Sequence, residues 1–277
     1  MSDGSDESDA GTPHVDDSRE TDGPGTGDQR ARRVFEATVR DGVCRLSRPG
    51  TRWLSTGWNG GESRGPAAYN VTVPDGWPET DLATYVESRR TDAGFDAAGP
   101  TLLTGVSQDH ARRAHLDGVE AVVTAGVSNP AALPVDGAEE VGGRNGSGDH
   151  DATGHAPDDH DSHVGTVNVF AGTTRALDPG ALPNPVAVAA EAKAATFLAV
   201  AGVPGTTTDA VVAACDPAGP RERFSGSATT VGRLARACVR DALLASLDSR
   251  YDREDLPTVE TAEHGVVTDC RATVERL

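Results

Sequence analysis

The sequence predicts an α/β (α+β) fold in which a mixed β-sheet is packed by helices within a single domain. Three observations carry that expectation. Apolar runs of strand length intermix with longer helical ones, but two strands come first, so a clean βαβ alternation is missing. "NPVAVAAEAKAATFLAVAG" (184–202) reads as a helix: Asn184 can cap it, Pro185 suits its first turn and Gly202 stops it. "TTVGRLARACVRDALLASLDSRY" (229–251) places Val231, Leu234, Ala235, Cys238, Ala242 and Leu243 on one helical face.

The elements follow in chain order. Residues 1–33 are rich in Gly, Ser, Asp and Thr without apolar periodicity, which predicts a disordered acidic tail. "RWLSTGW" (52–58) and "AAYNVTV" (67–73) have strand character and are joined through "NGGESRG". "ETDLATYVESRRTD" (79–92) reads as a helix with Leu82, Tyr85 and Val86 on its apolar side. "TLLTGV" (101–106) reads as a short buried strand, and "SQDHARRAHLDG" as a helix closed by Gly118. "VEAVVTAGV" (119–127), "GTVNVFAGT" (165–173) and "DAVVAAC" (209–215) are further strands. Between them, residues 135–163 form a Gly-, Asp- and His-rich stretch that predicts a long surface insertion. Residues 252–277 are mixed polar and read as a loosely attached extension.

Composition narrows the function. The formal net charge is −18, with 43 acidic against 25 basic residues, and the arginines are scattered. Phosphate binding needs a basic face, so nucleic acid is not expected as a partner. No run of about 18–20 apolar residues predicts a membrane span, and the acidic start lacks the apolar core of a signal peptide, so a cytoplasmic protein is expected. The four cysteines (Cys44, Cys215, Cys238, Cys270) show no CxxC spacing and read as buried free thiols. His110 and His115 have the wrong spacing for one helix face. The insertion histidines His150, His155, His160 and His163 read as solvated surface, so no metal is expected. An acidic, lysine-poor chain suits molar salt, where the Debye length is about 3 Å and self-repulsion is screened.

Against that background Lys193, the only lysine among the 25 basic residues, stands out. It lies with Glu191 in an alanine-rich helix that reads as apolar all round and therefore buried. Residues two apart on a helix point about 200° away from each other, so each charge must meet a partner from elsewhere. Structural ion pairs and a catalytic pair are equally open on these grounds. Short polar segments flank the strands: "STGWNGG" (55–61), "YN" (69–70), "AGVSNP" (125–130), "GTVN" (165–168) and "GTTTDA" (205–210). They supply backbone and neutral side-chain hydrogen bonds with little bulk, which suits a large polar ligand carrying amides. No phosphate loop, nucleophile elbow or HExxH motif occurs.

In order, "LSTGWNGG … YNVTVP … LLTGV … VTAGVSNP … GTVNVF … EAKAATF … GTTTDAVVAA" resembles the adenosylcobinamide amidohydrolases over roughly residues 50–250. The chain departs from the family's usual pattern at Ala190, where a threonine is common, and in its Val203–Asp209 loop. The resemblance implies an amidohydrolase domain at 34–251. It also implies hydrolysis of the amide joining the corrin ring to aminopropanol, giving adenosylcobyric acid. No cofactor is implied, since the corrinoid is itself the substrate and partner; oligomeric state is left open. The implied catalytic residues are Glu191, Lys193, Asp209, Thr206, Thr207 and Thr208. Glu191 or Asp209 would act as base, and Lys193 would stabilise the oxyanion with the backbone amides of Gly205–Thr208. A threonine nucleophile with Lys193 as base is the alternative. Asn59, Gly60, Gly61, Asn70, Ser128, Asn129, Thr166, Asn168 and Gly205 are expected to bind substrate.

Overall fold

Two Asp-Gly pairs, both with left-handed backbone, shape the sheet. Asp41 and Gly42 (φ 48° and 73°) turn β1 (Glu36–Arg40) into β2 (Val43–Ser55). Asp117 and Gly118 (φ 45° and 76°) turn β5 (Arg112–Leu116) into β6 (Val119–Ala125). Two residues at positive φ give the tight hairpin turn whose twist matches that of its strands. The computed structural model describes residues 1, 33–74, 76, 81–135, 165–252, 256–262 and 264–277. The expected tail and insertion, with the four insertion histidines, fall almost wholly outside the described residues.

The remaining strands of the main sheet are β3 (Gly61–Thr72), β4 (Thr101–Thr104), β8 (Val167–Thr173) and β10 (Ala210–Cys215). Its order is β4-β3-β2-β10-β8-β6-β5, with β1 paired to β2. β3–β4 and β8–β10 are parallel and the other pairs antiparallel, so the sheet is mixed, as expected. Short pairs lie beside it: β7 (Ala131–Ala132) with β12 (Val266–Val267), and β9 (Ala176–Leu177) with β11 (Arg221–Glu222). The C-terminal segment is thus tied down at one point through β12. Among the described residues the helices are α1 (Leu82–Asp92), α2 (Asn184–Ala201) and α3 (Thr230–Asp248).

The sheet curls. Its inner surface carries Leu46, Trp53, Ala68, Leu102, Phe170 and Val212, sealed by Phe35, which stacks on Trp53. Gly172 lies against the Phe35 ring, where a Cβ would overlap it. The curl brings β3 and β4 back opposite β6 and β8. Asn168 donates to Asn70 (2.8 Å) and to the Leu103 carbonyl (3.0 Å), and Asn70 donates to Thr124 (2.9 Å). The outer face of β6 and β8 packs on α2 and α3 through Val123, Val169, Ala189, Ala192, Phe197, Val239 and Leu243. α1 covers the other flank, over Tyr69, Val71 and Phe95. The six α3 residues assigned to one face are all buried.

The structure corrects four expectations. Residues 107–118 are not a helix: a single 3₁₀ turn (Gln108–His110) leads into β5. Sheet pairing overrides local helical tendency here, because β5 delivers Arg113 Nε to within 2.9 Å of the fully buried Glu120 on β6. Burial pushes the Glu120 carboxyl up, and Arg113 opposes that push. Second, α2 is not buried all round. Its stripe Pro185, Val188, Ala189, Ala192, Thr196 and Phe197 is buried, while Leu198 is 53% exposed. Alanine is apolar but too small to demand burial, so an alanine-rich run overstates dryness. Third, the α2 N-cap is Pro183, and Asn184 makes no capping bond, although Gly202 ends the helix in the left-handed region as expected. Fourth, Cys44, Cys215 and Cys238 are buried free thiols, but Cys270 is exposed.

Candidate functional site

After Gly202 the chain must return from α2 to the sheet, and it does so through the threonine-rich segment 203–209. This turn is clipped to the strand-like residues after β6. The Ala131 N–H donates to the Gly205 carbonyl (2.9 Å), the Thr207 N–H donates to the Asn129 carbonyl (3.2 Å), and Pro130 and Thr206 form an antiparallel bridge. Asp209 therefore arrives at the mouth of β10, directly beside α2. There its carboxylate meets the Lys193 ammonium. The two side chains are only 11% and 13% exposed.

Asp209 is held on every side. Oδ1 accepts from the Val167 N–H (3.0 Å) and from the Thr206 hydroxyl. Oδ2 accepts from the Thr206 N–H (3.0 Å) and from Lys193. Bonds of an ionised group to neutral and charged donors are the strong ones, and four of them fix this carboxylate in place. Gly205 presses on the pair so closely that a Cβ would overlap both Lys193 Nζ and Asp209 Oδ2. No other residue type fits at that position without displacing the pair.

Above the pair lies a hydroxyl-rich rim. Thr207 and Thr208 are exposed. Thr207 Oγ1 accepts from Asn129 Nδ2 (2.5 Å), and Thr208 Oγ1 shares a proton with Thr166 Oγ1 (2.8 Å). Ser128 completes the rim: a Cβ on Gly165 would meet its Oγ at 2.7 Å. Asn129 Oδ1 is enclosed and accepts no hydrogen bond among the described residues, a cost of about 1–3 kcal/mol for a buried acceptor. Of the expected site residues, the fold thus gathers Lys193, Asp209, Thr206, Thr207, Thr208, Gly205, Asn129, Thr166 and Ser128 into one place.

Others lie elsewhere. Glu191 leaves α2 on its far side, where it pairs with Arg236 of α3 and accepts from Ser227 (3.1 Å), with its side chain 53% exposed. The expectation that Glu191 and Lys193 would each find a separate partner is met, but in different directions. Asn70 and Asn168 are buried inside the curled sheet and bond each other. The Thr206 and Thr207 amides, expected to meet an oxyanion, are already bonded to Asp209 and Asn129. Asn59, Gly60 and Gly61 sit on the β2–β3 hairpin, against a cavity of about 290 Å³ that also contacts Trp58, Arg64, Val86 and Thr101.

Sequence reasoning missed two features. Thr56 anchors that hairpin to β10: its N–H donates to the Val211 carbonyl (3.0 Å) and its hydroxyl accepts from the Val211 N–H (2.9 Å). The buried Arg113–Glu120 pair was also missed, although a lone glutamate within the apolar run "VEAVV" is a sequence signal for it.

Comparison with known proteins adds the family. Residues 27–255 match the family described as adenosylcobinamide amidohydrolase. A Halobacterium salinarum protein named adenosylcobinamide amidohydrolase is 54% identical over 245 residues, 88% of this chain and 100% of its own. A Methanosarcina mazei protein of the same name is 26% identical over 207 residues, 71% of this chain and 90% of its own. The first comes from a salt-loving archaeon, in keeping with the acidic, lysine-poor composition. No solved structure matches significantly. Among the described residues no helix is long and apolar enough to cross a membrane. The chain belongs to the adenosylcobinamide amidohydrolase family.

Proposed function

We propose that this protein acts in the cytoplasm to hydrolyse the amide joining the corrin ring to aminopropanol in adenosylcobinamide. The products are adenosylcobyric acid and aminopropanol, so the corrinoid is recovered for cobamide synthesis. The observation that carries the reading is the Lys193–Asp209 contact beneath the threonine rim, in a chain 54% identical to a protein of that name. An amide needs a nucleophile, stabilisation of the oxyanion and a proton for the departing amine. An ammonium already bonded to a carboxylate is a donor, which suits Lys193 to the substrate carbonyl oxygen rather than to proton abstraction.

The substrate carbonyl takes the Lys193 proton donor, and Asp209 Oδ2 then loses one of its donors. The freed lone pair accepts a proton from a water that attacks the carbonyl carbon. Collapse of the tetrahedral intermediate breaks the C–N bond, and Asp209 passes that proton to the amine. The Val167 N–H, Thr206 and Gly205 keep the carboxylate in position throughout. Thr207, Thr208, Thr166, Ser128 and Asn129 orient the substrate amide at the rim. No cofactor enters the reaction.

The test is turnover of adenosylcobinamide in molar-salt buffer, read as released aminopropanol. Wild-type protein releases it, whereas Lys193→Met loses at least about 100-fold in kcat, as removal of an oxyanion donor does elsewhere, and Asp209→Asn loses at least about 100-fold with its general base. In ¹⁸O water a single turnover places label in the carboxyl product and leaves no adduct on the protein. An acyl-threonine seen by mass spectrometry would replace water with a threonine nucleophile. Binding without release would make the protein a corrinoid-binding module instead.

A further inference from the structure

We infer that the cavity beneath the β2–β3 hairpin takes the adenine of the substrate's adenosyl group, with Trp58 and Asn59 setting specificity for it. This rests on the proposed function, because the adenosyl group belongs to that substrate. The cavity is lined by Ser55, Trp58, Asn59, Arg64, Val86 and Thr101, among others, and holds about 290 Å³. That lies near the lower end of ligand pockets, enough for a nucleoside but not for a corrin macrocycle.

Its chemistry fits a purine. Trp58 is 38% exposed although it is a large aromatic side chain, and it lines the cavity beside Arg64. The Arg64 side chain makes no ion pair or hydrogen bond among the described residues, although its charge helps hold the Glu62 carboxyl down. Indole and guanidinium planes are both side-chain surfaces on which bases stack. Asn59 lines the cavity at the hairpin tip, and asparagine matches the N6/N7 edge of adenine with one donor and one acceptor. Glu62 is occupied by Arg52 (2.7 and 3.2 Å), so the cavity wall is fixed.

The hairpin is built to hold these groups still. Asn59 has φ 48° and Gly61 φ 106°. A Cβ on Gly60 would overlap the Ser55 carbonyl, and one on Gly57 would overlap Leu102. Its placement also suits one ligand spanning two sites. Ser55 pairs with Val212 in the sheet, and Asp209 lies three residues before Val212, roughly 10 Å along the strand. The amide at the Lys193–Asp209 pair and the axial adenosyl group can thus be held by the same end of the sheet.

The experiment compares adenosylcobinamide with cobinamide carrying water or cyanide in place of adenosyl, for wild type, Trp58→Ala and Asn59→Gly. Glycine retains the backbone at residue 59 and deletes only the amide. Loss of base stacking corresponds to roughly 5–150-fold. Trp58→Ala should lower kcat/KM by that factor for adenosylcobinamide and leave the other cobinamides unchanged, with Asn59→Gly showing a smaller loss of the same kind. Equal losses on all substrates would overturn the assignment. Equilibrium dialysis of 5′-deoxyadenosine against the same proteins needs no turnover. Saturable binding lost in Trp58→Ala supports the pocket even if the amide is not cleaved, and no binding to wild type overturns it even if the amide is.

Discussion

Gly205 lies against Lys193 so tightly that a methyl group at residue 205 would occupy the space of the ammonium. The contact makes a glycine with ordinary backbone geometry as constrained as any functional side chain. Gly205→Ala is expected to push Lys193 away from Asp209. We expect activity to fall with the pair, and overpacking to cost about 1–3 kcal/mol of stability. Aminopropanol release and chemical denaturation of the variant check both. Full activity in Gly205→Ala would show that the contact does not matter for turnover.

Glu191 separates two accounts of the same helix. It lies in the same short sequence motif as Lys193, yet its carboxylate meets Arg236 and Ser227 at the surface. Glu191→Gln should keep kcat within about twofold of wild type and change stability by under about 1 kcal/mol, the usual worth of an exposed pair. Steady-state kinetics beside Asp209→Asn decide it. A Glu191→Gln protein as inactive as Asp209→Asn would place the proton transfer on the wrong carboxylate.

The thiols give a pH prediction. Burial pushes Cys44 and Cys238 up to about 11 from an ordinary 9.0, with nearby Arg113 partly opposing the rise at Cys44. A raised folded-state value means that the native protein holds these protons more tightly than the unfolded chain does. Their contribution is complete below about pH 9 and is lost as the pH rises through about 11. Denaturation midpoints should therefore fall across that window, and less steeply in Cys44→Ala measured against its own neutral-pH value. With a thiol reagent at pH 8, Cys270 should react at once and the three buried cysteines only on unfolding.

Legibility in the sequence followed from whether a signal was local. Apolar runs marked β6, β8 and β10 and the faces of α3, because burial on a regular element leaves a period in the chain. The helix expected at 107–118 failed for a local reason as well. Asp117–Gly118 is a hairpin signal, and so is Asp41–Gly42, which joins the unforeseen β1 to the first half of β2. What opposed the helix was Glu120, a residue on the next strand whose buried charge needs Arg113.

The sequence by itself determined the mixed sheet with its helices, the acidic surface, the family, and the fact that one lysine in an apolar helix must answer to a charge elsewhere. Only the tertiary structure decided which charge that is. Lys193 and Asp209 are 16 residues apart, on a helix and at a strand mouth, and nothing periodic connects them. Their meeting depends on how the 203–209 turn is clipped to Asn129–Ala131. The same holds for Asn70 and Asn168, which the polar motifs alone cannot distinguish from surface residues. The curl of the sheet turns them inward, because strand twist and closure are properties of the assembled sheet rather than of any strand.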